Sequence, residues 1–284
     1  MNKRCIAALL LTLTLLLSLT ACDFSWLFDP SPAPTEGLAV HFIDVGQGDC
    51  ELVEAQGHFL LIDGGERGSE EKVVKYLRKQ GVERLDYVVS THPHSDHMGG
   101  LAYGVLAAFP VGTVIAPRFS PENTPDTQTY EKFLDAVTDL VANGTKAKYA
   151  RPGDVYPLGE ASFTILGPLK EDGKNYNNDS VIVRVEYQDR AALFMGDAEK
   201  SVETALLKEY GAGLRADLLK AGHHGSKTSS NEDFLYIVRP EELVISCGVG
   251  NSYGHPHPEV LERCKAMGIR VHRTDIEGNI VIIL

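Results

Sequence analysis

Three short runs that carry apolar residues open the folded part of the chain, at 38–45, 49–54 and 58–62. Gly46, Gly48 and Gly57 separate them, and glycine between such runs reads as strand, turn, strand. The period then changes. Over 69–80, Val73, Val74 and Leu77 share one face of a predicted helix, with Ser69 placed to cap its start and Gly81 to stop it. The stretch 85–90 is apolar and β-branched, the signature of a buried strand. Helical spacing returns over 126–142 through Tyr130, Phe133, Leu134, Val137 and Val141. Further strands are predicted at 161–166, 180–186, 191–195, 217–219, 242–246 and 279–284, and further helices at 199–210 and 258–267. Strands and helices mix without strict βαβ alternation, which predicts stacked sheets with helices outside. No linker interrupts 38–284, so one domain is expected there.

The first 21 residues are different material. Lys3 and Arg4 precede an apolar run, 6–20, interrupted by Thr12, Thr14 and Ser18 and ending on Thr20. That run is short of the roughly 20 residues a membrane span needs, and positive charge before a short apolar run reads as an export signal. It ends in Leu19-Thr20-Ala21-Cys22, which resembles the lipobox of bacterial lipoproteins. The resemblance implies cleavage before Cys22, lipid on its thiol, and a protein held at the extracytoplasmic face of a membrane. Residues 22–37, with Pro30, Pro32 and Pro34, read as a semi-rigid tether.

The chain carries 27 Lys and Arg against 39 Asp and Glu, a formal net charge of −12, and losing residues 1–21 would remove Lys3, Arg4 and no acid. That balance disfavours strong sequence-independent binding to long nucleic acid, though not cleavage of a transiently bound strand. Cys50, Cys247 and Cys264 are an odd set without CxxC spacing, so buried small hydrophobes are expected rather than disulfides or metal ligands.

Candidate chemistry is concentrated in His92-Pro93-His94-Ser95-Asp96-His97, four metal-type donors in six residues, directly after the predicted strand at 85–90. His92 and His94 alternate across one residue and can grip one ion from the same side of an extended segment. Asp96 and His97 diverge and are placed for a second ion. Ions roughly 3.5–4 Å apart can hold a bridging hydroxide and stabilise charge on a substrate oxygen. The theme repeats at Asp197, His223, His224, His255 and His257, so that seven of the ten histidines fall in these stretches. His41, His58 and His272 read as structural.

With Met98-Gly99-Gly100, this run resembles the first metal motif of the metallo-β-lactamase fold superfamily. Phe42-Ile43-Asp44-Val45-Gly46-Gln47-Gly48-Asp49 is similar to the entry strand of the hydrolase domain in ComEC-type competence-channel proteins. Leu61-Ile62-Asp63-Gly64-Gly65, Phe194-Met195-Gly196-Asp197-Ala198-Glu199 and Leu219-Lys220-Ala221-Gly222-His223-His224-Gly225-Ser226 resemble the superfamily's later motifs. The resemblance runs from about residue 38 to the C-terminus. It implies an α/β fold, a four-layer αββα sandwich of two mixed β-sheets flanked by helices. It implies two divalent ions, zinc or manganese: His92 and His94 on one, Asp96 and His97 on the other, Asp197 bridging. Likeness to secreted phosphorylcholine esterases makes His223 the late ligand, leaving His224 to orient a ligand or touch substrate. Asp63 would orient a ligand. No histidine lies between His97 and His223, where most of the superfamily has one. Asp179, in Asn177-Asn178-Asp179-Ser180, could supply an oxygen instead, or water could fill the position; an oxygen-rich site suits manganese.

Ser226 and Lys227, in Gly225-Ser226-Lys227-Thr228-Ser229-Ser230, offer donors suited to phosphate. His255 or His257, in Tyr253-Gly254-His255-Pro256-His257-Pro258, could protonate a leaving group, and Asp96 would orient the hydroxide. The expected function is an exported, lipid-anchored phosphodiesterase or nuclease that binds DNA or RNA transiently, with no obligate protein partner. A choline-phosphate esterase, a β-lactamase or lactonase, and a non-catalytic binding module stand as alternatives.

Overall fold

The computed structural model describes residues 37–284. The expected signal at 1–21, Cys22 and the tether up to residue 36 lie outside the described residues. Among the described residues no helix is long and apolar enough to cross a membrane.

The described strands form two seven-stranded sheets. The first runs β14 (Ile280–Ile283), β1 (Leu38–Phe42), β2 (Glu51–Ala55), β3 (His58–Ile62), β4 (Leu85–Val89), β5 (Val111–Ala116), β6 (Lys146–Tyr149). The second runs β7 (Val155–Leu158), β8 (Ala161–Gly167), β9 (Ile182–Tyr187), β10 (Arg190–Phe194), β11 (Leu218–Lys220), β12 (Glu242–Ile245), β13 (Arg270–Arg273). Each sheet begins with antiparallel pairs and ends with parallel ones. The antiparallel pairs can close through tight turns, as at Gln56-Gly57, where both residues have positive φ. The parallel pairs need crossovers. These carry α1 (Glu70–Lys79), α2 (Ser95–Gly100), α3 (Gln128–Ala142), α4 (Lys200–Tyr210), α5 (Glu232–Val238) and α6 (Pro258–Met267). A π-type segment, Leu101–Val105, prolongs α2.

Alternation explains the layers. Val40, Phe42, Val53, Leu60 and Ile62 face the second sheet's Phe163, Val183, Phe194 and Val244. Their neighbours Ile43, Leu52, Phe59 and Leu61 point outward under α1 and the helical segment after β4. A matching apolar layer lies between the second sheet and α4, α5 and α6. Both faces of each sheet are therefore buried, which gives the αββα sandwich expected from the sequence. The three cysteines are buried and free.

Sequence periodicity did not mark β5, β6, β7, β13 or α5. β6 and β7 are edge strands, and every residue of Lys146–Tyr149 is exposed, so no apolar alternation marks it. Ser69 does precede α1, but its hydroxyl donates to the carbonyls of Gly64 and Glu66 instead of capping the helix.

Candidate metal centre

The chemistry-bearing segments leave the carboxyl ends of β3, β4, β10, β11 and β12, the end of a parallel sheet where crevices form. Two glycines let the first segments interlock. A Cβ on Gly100 would sit 1.9 Å from the Gly64 carbonyl oxygen, and one on Gly99 2.3 Å from the Arg67 nitrogen. Backbone-to-backbone contact follows: Gly64 N–H donates to His97 O at 2.8 Å and Gly100 N–H to Gly65 O at 2.8 Å. The Asp63 turn is thereby latched to α2, which carries Asp96 and His97.

The deeper of two imidazole groups is formed by His97 and His224. Their Nε2 atoms lie 3.2 Å apart, and at 3.2 and 3.5 Å respectively from Asp197 Oδ1. Asp96 Oδ2 lies 3.2 Å from His224 Nε2 and 3.9 Å from His97 Nε2. The opposite ring edges are held from behind. His97 Nδ1 meets Asp63 Oδ2 at 2.8 Å, and His224 Nδ1 meets the Ser246 carbonyl at 3.0 Å and Asp49 Oδ1 at 3.2 Å. A ring that donates through Nδ1 presents an unprotonated Nε2, the form a metal ligand requires. Asp49 lies within ligand range of this cluster, but it faces the Nδ1 side and so backs the rings. Buried Lys220 donates to Asp49 and, at 3.2 Å, to the Gly196 carbonyl beside Asp197.

The second group is His92 and His94, with His92 Nε2 3.1 Å from His94 Nδ1 and 3.7 Å from Asp197 Oδ2. Thr91 Oγ1 and Ser180 Oγ stand at 3.1 and 3.5 Å behind His92. The two oxygens of buried Asp197 thus face different imidazole groups, and its N–H donates to Ser180 Oγ at 3.0 Å. Asp197 Oδ1 is buried with no hydrogen-bond donor. An orphaned carboxylate oxygen beside two imidazole nitrogens fits a bound cation.

Electrostatics point the same way. Burial alone would raise Asp197 and Asp96, but His224 and His97 hold both carboxyls well below the usual range. Burial would likewise lower His97 and His224, yet Asp197 and Asp49 push both rings well up. The carboxylates favour positive charge between these rings, whether a proton or a divalent ion. His92, by contrast, is held well below its usual value by burial and by its neighbour His97.

Two expected ligands sit outside both imidazole groups. His224, not His223, belongs to the deep group. Both residues adopt the left-handed backbone (φ 50° and 53°), and the turn sends His224 inward and His223 to the rim. His223 Nε2 stands 3.8 Å from Asp197 Oδ2, on the His92 side, and its Nδ1 3.4 Å from Glu199. Asp179 does not reach the cluster: its Oδ1 accepts the Asp172 N–H at 2.6 Å. Asn177 occupies the rim instead, its Nδ2 3.5 Å from His223 Nε2 and its buried Oδ1 without a partner.

A cleft of about 340 Å³ opens over the cluster, lined by Gln47, His94, Asp96, Asn177, His223 and His255 among others. His255 is thus brought to the site. His257 is not: it stands at the residue before α6, and its Nδ1 accepts the Lys227 N–H at 3.2 Å. Ser226 bonds Thr228, and neither Ser226 nor Lys227 lines the cleft. Asp63 stands behind His97. Sequence reading gave no role to Asp49 or Lys220, although a lysine ending an otherwise apolar strand was the available signal.

Residues 43–249 match the family model described as Metallo-beta-lactamase superfamily. The chain is 30% identical over 277 residues to ComE operon protein 3 of Bacillus subtilis, covering 91% of this chain and 34% of that protein. It is 32% identical over 252 residues to Competence protein ComA of Neisseria gonorrhoeae, covering 88% of this chain and 33% of that one. The chain therefore spans about a third of the length of these relatives. In fold it is similar to CmlA, a diiron β-hydroxylase from Streptomyces venezuelae, with TM-score 0.58 and 16% identity over 90% of this chain and 55% of that one.

Proposed function

Because the chain belongs to the metallo-β-lactamase superfamily, we propose that it is a metal-dependent hydrolase of phosphoester bonds, a phosphodiesterase acting on nucleic acid strands. A hydroxylase shares the fold, so the reading rests on the site. One observation carries it: Asp197 turns its two oxygens toward separate imidazole groups. His92, His94 and Asp197 would hold one divalent ion, and Asp96, His97, His224 and Asp197 the other. Such a pair, zinc or manganese, supplies a water of lowered pKa and a Lewis acid for a phosphoryl oxygen.

The chain's own groups do the rest. Asp63, Asp49 and the Ser246 carbonyl fix the ring orientations and tautomers. Asp96, held ionised at the cleft floor by His97 and His224 despite burial, is placed to accept a hydrogen bond from the attacking water. His255, lowered to about 4 by burial and by His224 and His223, is neutral at physiological pH. It offers the leaving group a hydrogen bond. The competence names of the relatives favour a nucleic acid strand. The lipobox-like Cys22 and the apolar run before it support export and attachment to a membrane surface.

The test is hydrolysis by the zinc- or manganese-loaded protein of bis-p-nitrophenyl phosphate, single-stranded DNA, p-nitrophenyl phosphorylcholine and nitrocefin. Turnover of the first two, abolished in Asp197→Ala, is expected. Turnover confined to nitrocefin or to the choline ester, or none above the variant, overturns the reading.

A further inference from the structure

Tyr253 is an exposed aromatic on a pinned loop. The residue is 65% exposed, and Val249 on the same loop is 83% exposed. Asn251 ties the loop together: its Nδ2 donates to the Gly248 carbonyl at 2.9 Å and the His255 carbonyl at 2.6 Å, and its Oδ1 accepts the His255 N–H at 3.0 Å. Gly248 is clamped in turn to Gln47, whose Oε1 accepts its N–H at 3.1 Å. The exposure of Tyr253 thus belongs to a fixed presentation.

The ring also has a direction. Tyr253 stacks on His255 with centroids 5.6 Å apart and planes 21° apart. His255 stacks on His224 at 6.2 Å and 30°. Three roughly parallel rings lead from solvent to the metal cluster, along the wall of the cleft that Tyr253 and His255 both line.

We propose that Tyr253, backed by His255, is the platform on which a nucleobase of the substrate stacks, next to the phosphate held over Asp197. The inference rests on the phosphodiesterase reading and supplies its specificity. Every base offers a π-face, so such a platform grips a strand without selecting its sequence. A quaternary ammonium is recognised by rings converging around it; here the supporting His255 ring lies within 21° of parallel to Tyr253, the geometry of a stack.

The experiment measures binding, by fluorescence anisotropy, of a labelled single-stranded oligonucleotide and its abasic counterpart to the metal-loaded full chain and its Tyr253→Ala and Tyr253→Phe variants. Hydrolysis of bis-p-nitrophenyl phosphate and p-nitrophenyl phosphorylcholine is followed alongside. Tyr253→Ala is expected to weaken the base-bearing strand by roughly 10-fold or more, to leave the abasic strand unchanged, and to raise KM more than it lowers kcat. Tyr253→Phe should restore binding. Equal weakening of both strands, no change in either, or loss confined to the choline ester overturns the proposal. Tyr253-dependent binding without any Asp197-dependent cleavage would instead sink the phosphodiesterase reading and leave the platform standing.

Discussion

The two imidazole groups that flank Asp197 differ in what stands behind them. In the deep group, each ring has its second nitrogen fixed: His97 by Asp63, His224 by Ser246 and Asp49, with Lys220 buried against Asp49. In the outer group, His92 leans on two hydroxyls. His94 Nδ1 leans on His92 Nε2 itself, at 3.1 Å. The sequence motif gives both groups two donors, but the fold equips one far better. Rings oriented by carboxylates are more basic ligands and lose less freedom on binding. The deep group should therefore hold its ion more tightly, and the outer group should exchange.

The largest separation is expected between adjacent residues. His224→Ala should remove about one equivalent of metal, read by elemental analysis, and lower kcat on bis-p-nitrophenyl phosphate roughly 10³-fold, the several kcal/mol a metal ion contributes. His223→Ala should keep the deep ion and cost roughly 10-fold, the scale of one lost polar contact at the rim. Equal losses in the two variants would erase the distinction between deep and rim. Next in size is Lys220→Met, which strands the buried Asp49 carboxylate and should destabilise the fold by about 3–5 kcal/mol. Deep-site metal affinity should fall roughly 10–100-fold with it. Adding Asp49→Asn should recover most of the stability, seen in thermal melts, while metal affinity stays low. Affinity that recovers together with stability would reduce the pair to a packing role.

Asp179→Asn sharpens the outer group. It removes a carboxylate that accepts the Asp172 N–H and touches neither imidazole group. The expected cost is about 1 kcal/mol of stability, with metal stoichiometry unchanged. Loss of an ion in this variant would return Asp179 to the ligand set.

The difference between the groups was legible only in part. Four donors in His92–His97 announce a metal site because few packing patterns call for them, and Asp197 stands out at the end of an apolar strand. The mixing of strands and helices along the chain predicts stacked sheets with helices outside, and the motif resemblance supplies the four-layer order. The choice between His223 and His224 was not legible, since it depends on two successive left-handed residues. Nor was Lys220 with Asp49, which pair across 171 positions and acquire meaning only when the segment before β2 meets the end of β11. Asp179 matches a missing histidine in chain position, yet a local turn takes one of its oxygens and it joins neither group.

The smallest effect expected comes from His255, and its sign sets the wall of the cleft apart from the deep rings. Burial first, then the like charges of His224 and His223, lower His255 to about 4 in the metal-free protein, against roughly 6.5 in an unfolded chain. Between those values the unfolded chain takes up a proton that the folded one refuses, so acidification through this window favours unfolding. His97 and His224 behave oppositely: their folded values are raised, so the stability they contribute is present at acid pH and lost as pH climbs past them. His255→Gln removes the acid-sensitive contribution alone. After discounting for solvent screening, the metal-free variant should lose about 1 kcal/mol less than the parent between pH 7 and pH 5, a gap of roughly 2–4 °C in the melting midpoint. Parallel melting curves for the two proteins would place His255 in an environment no different from solvent, and would take away the backing that Tyr253 needs.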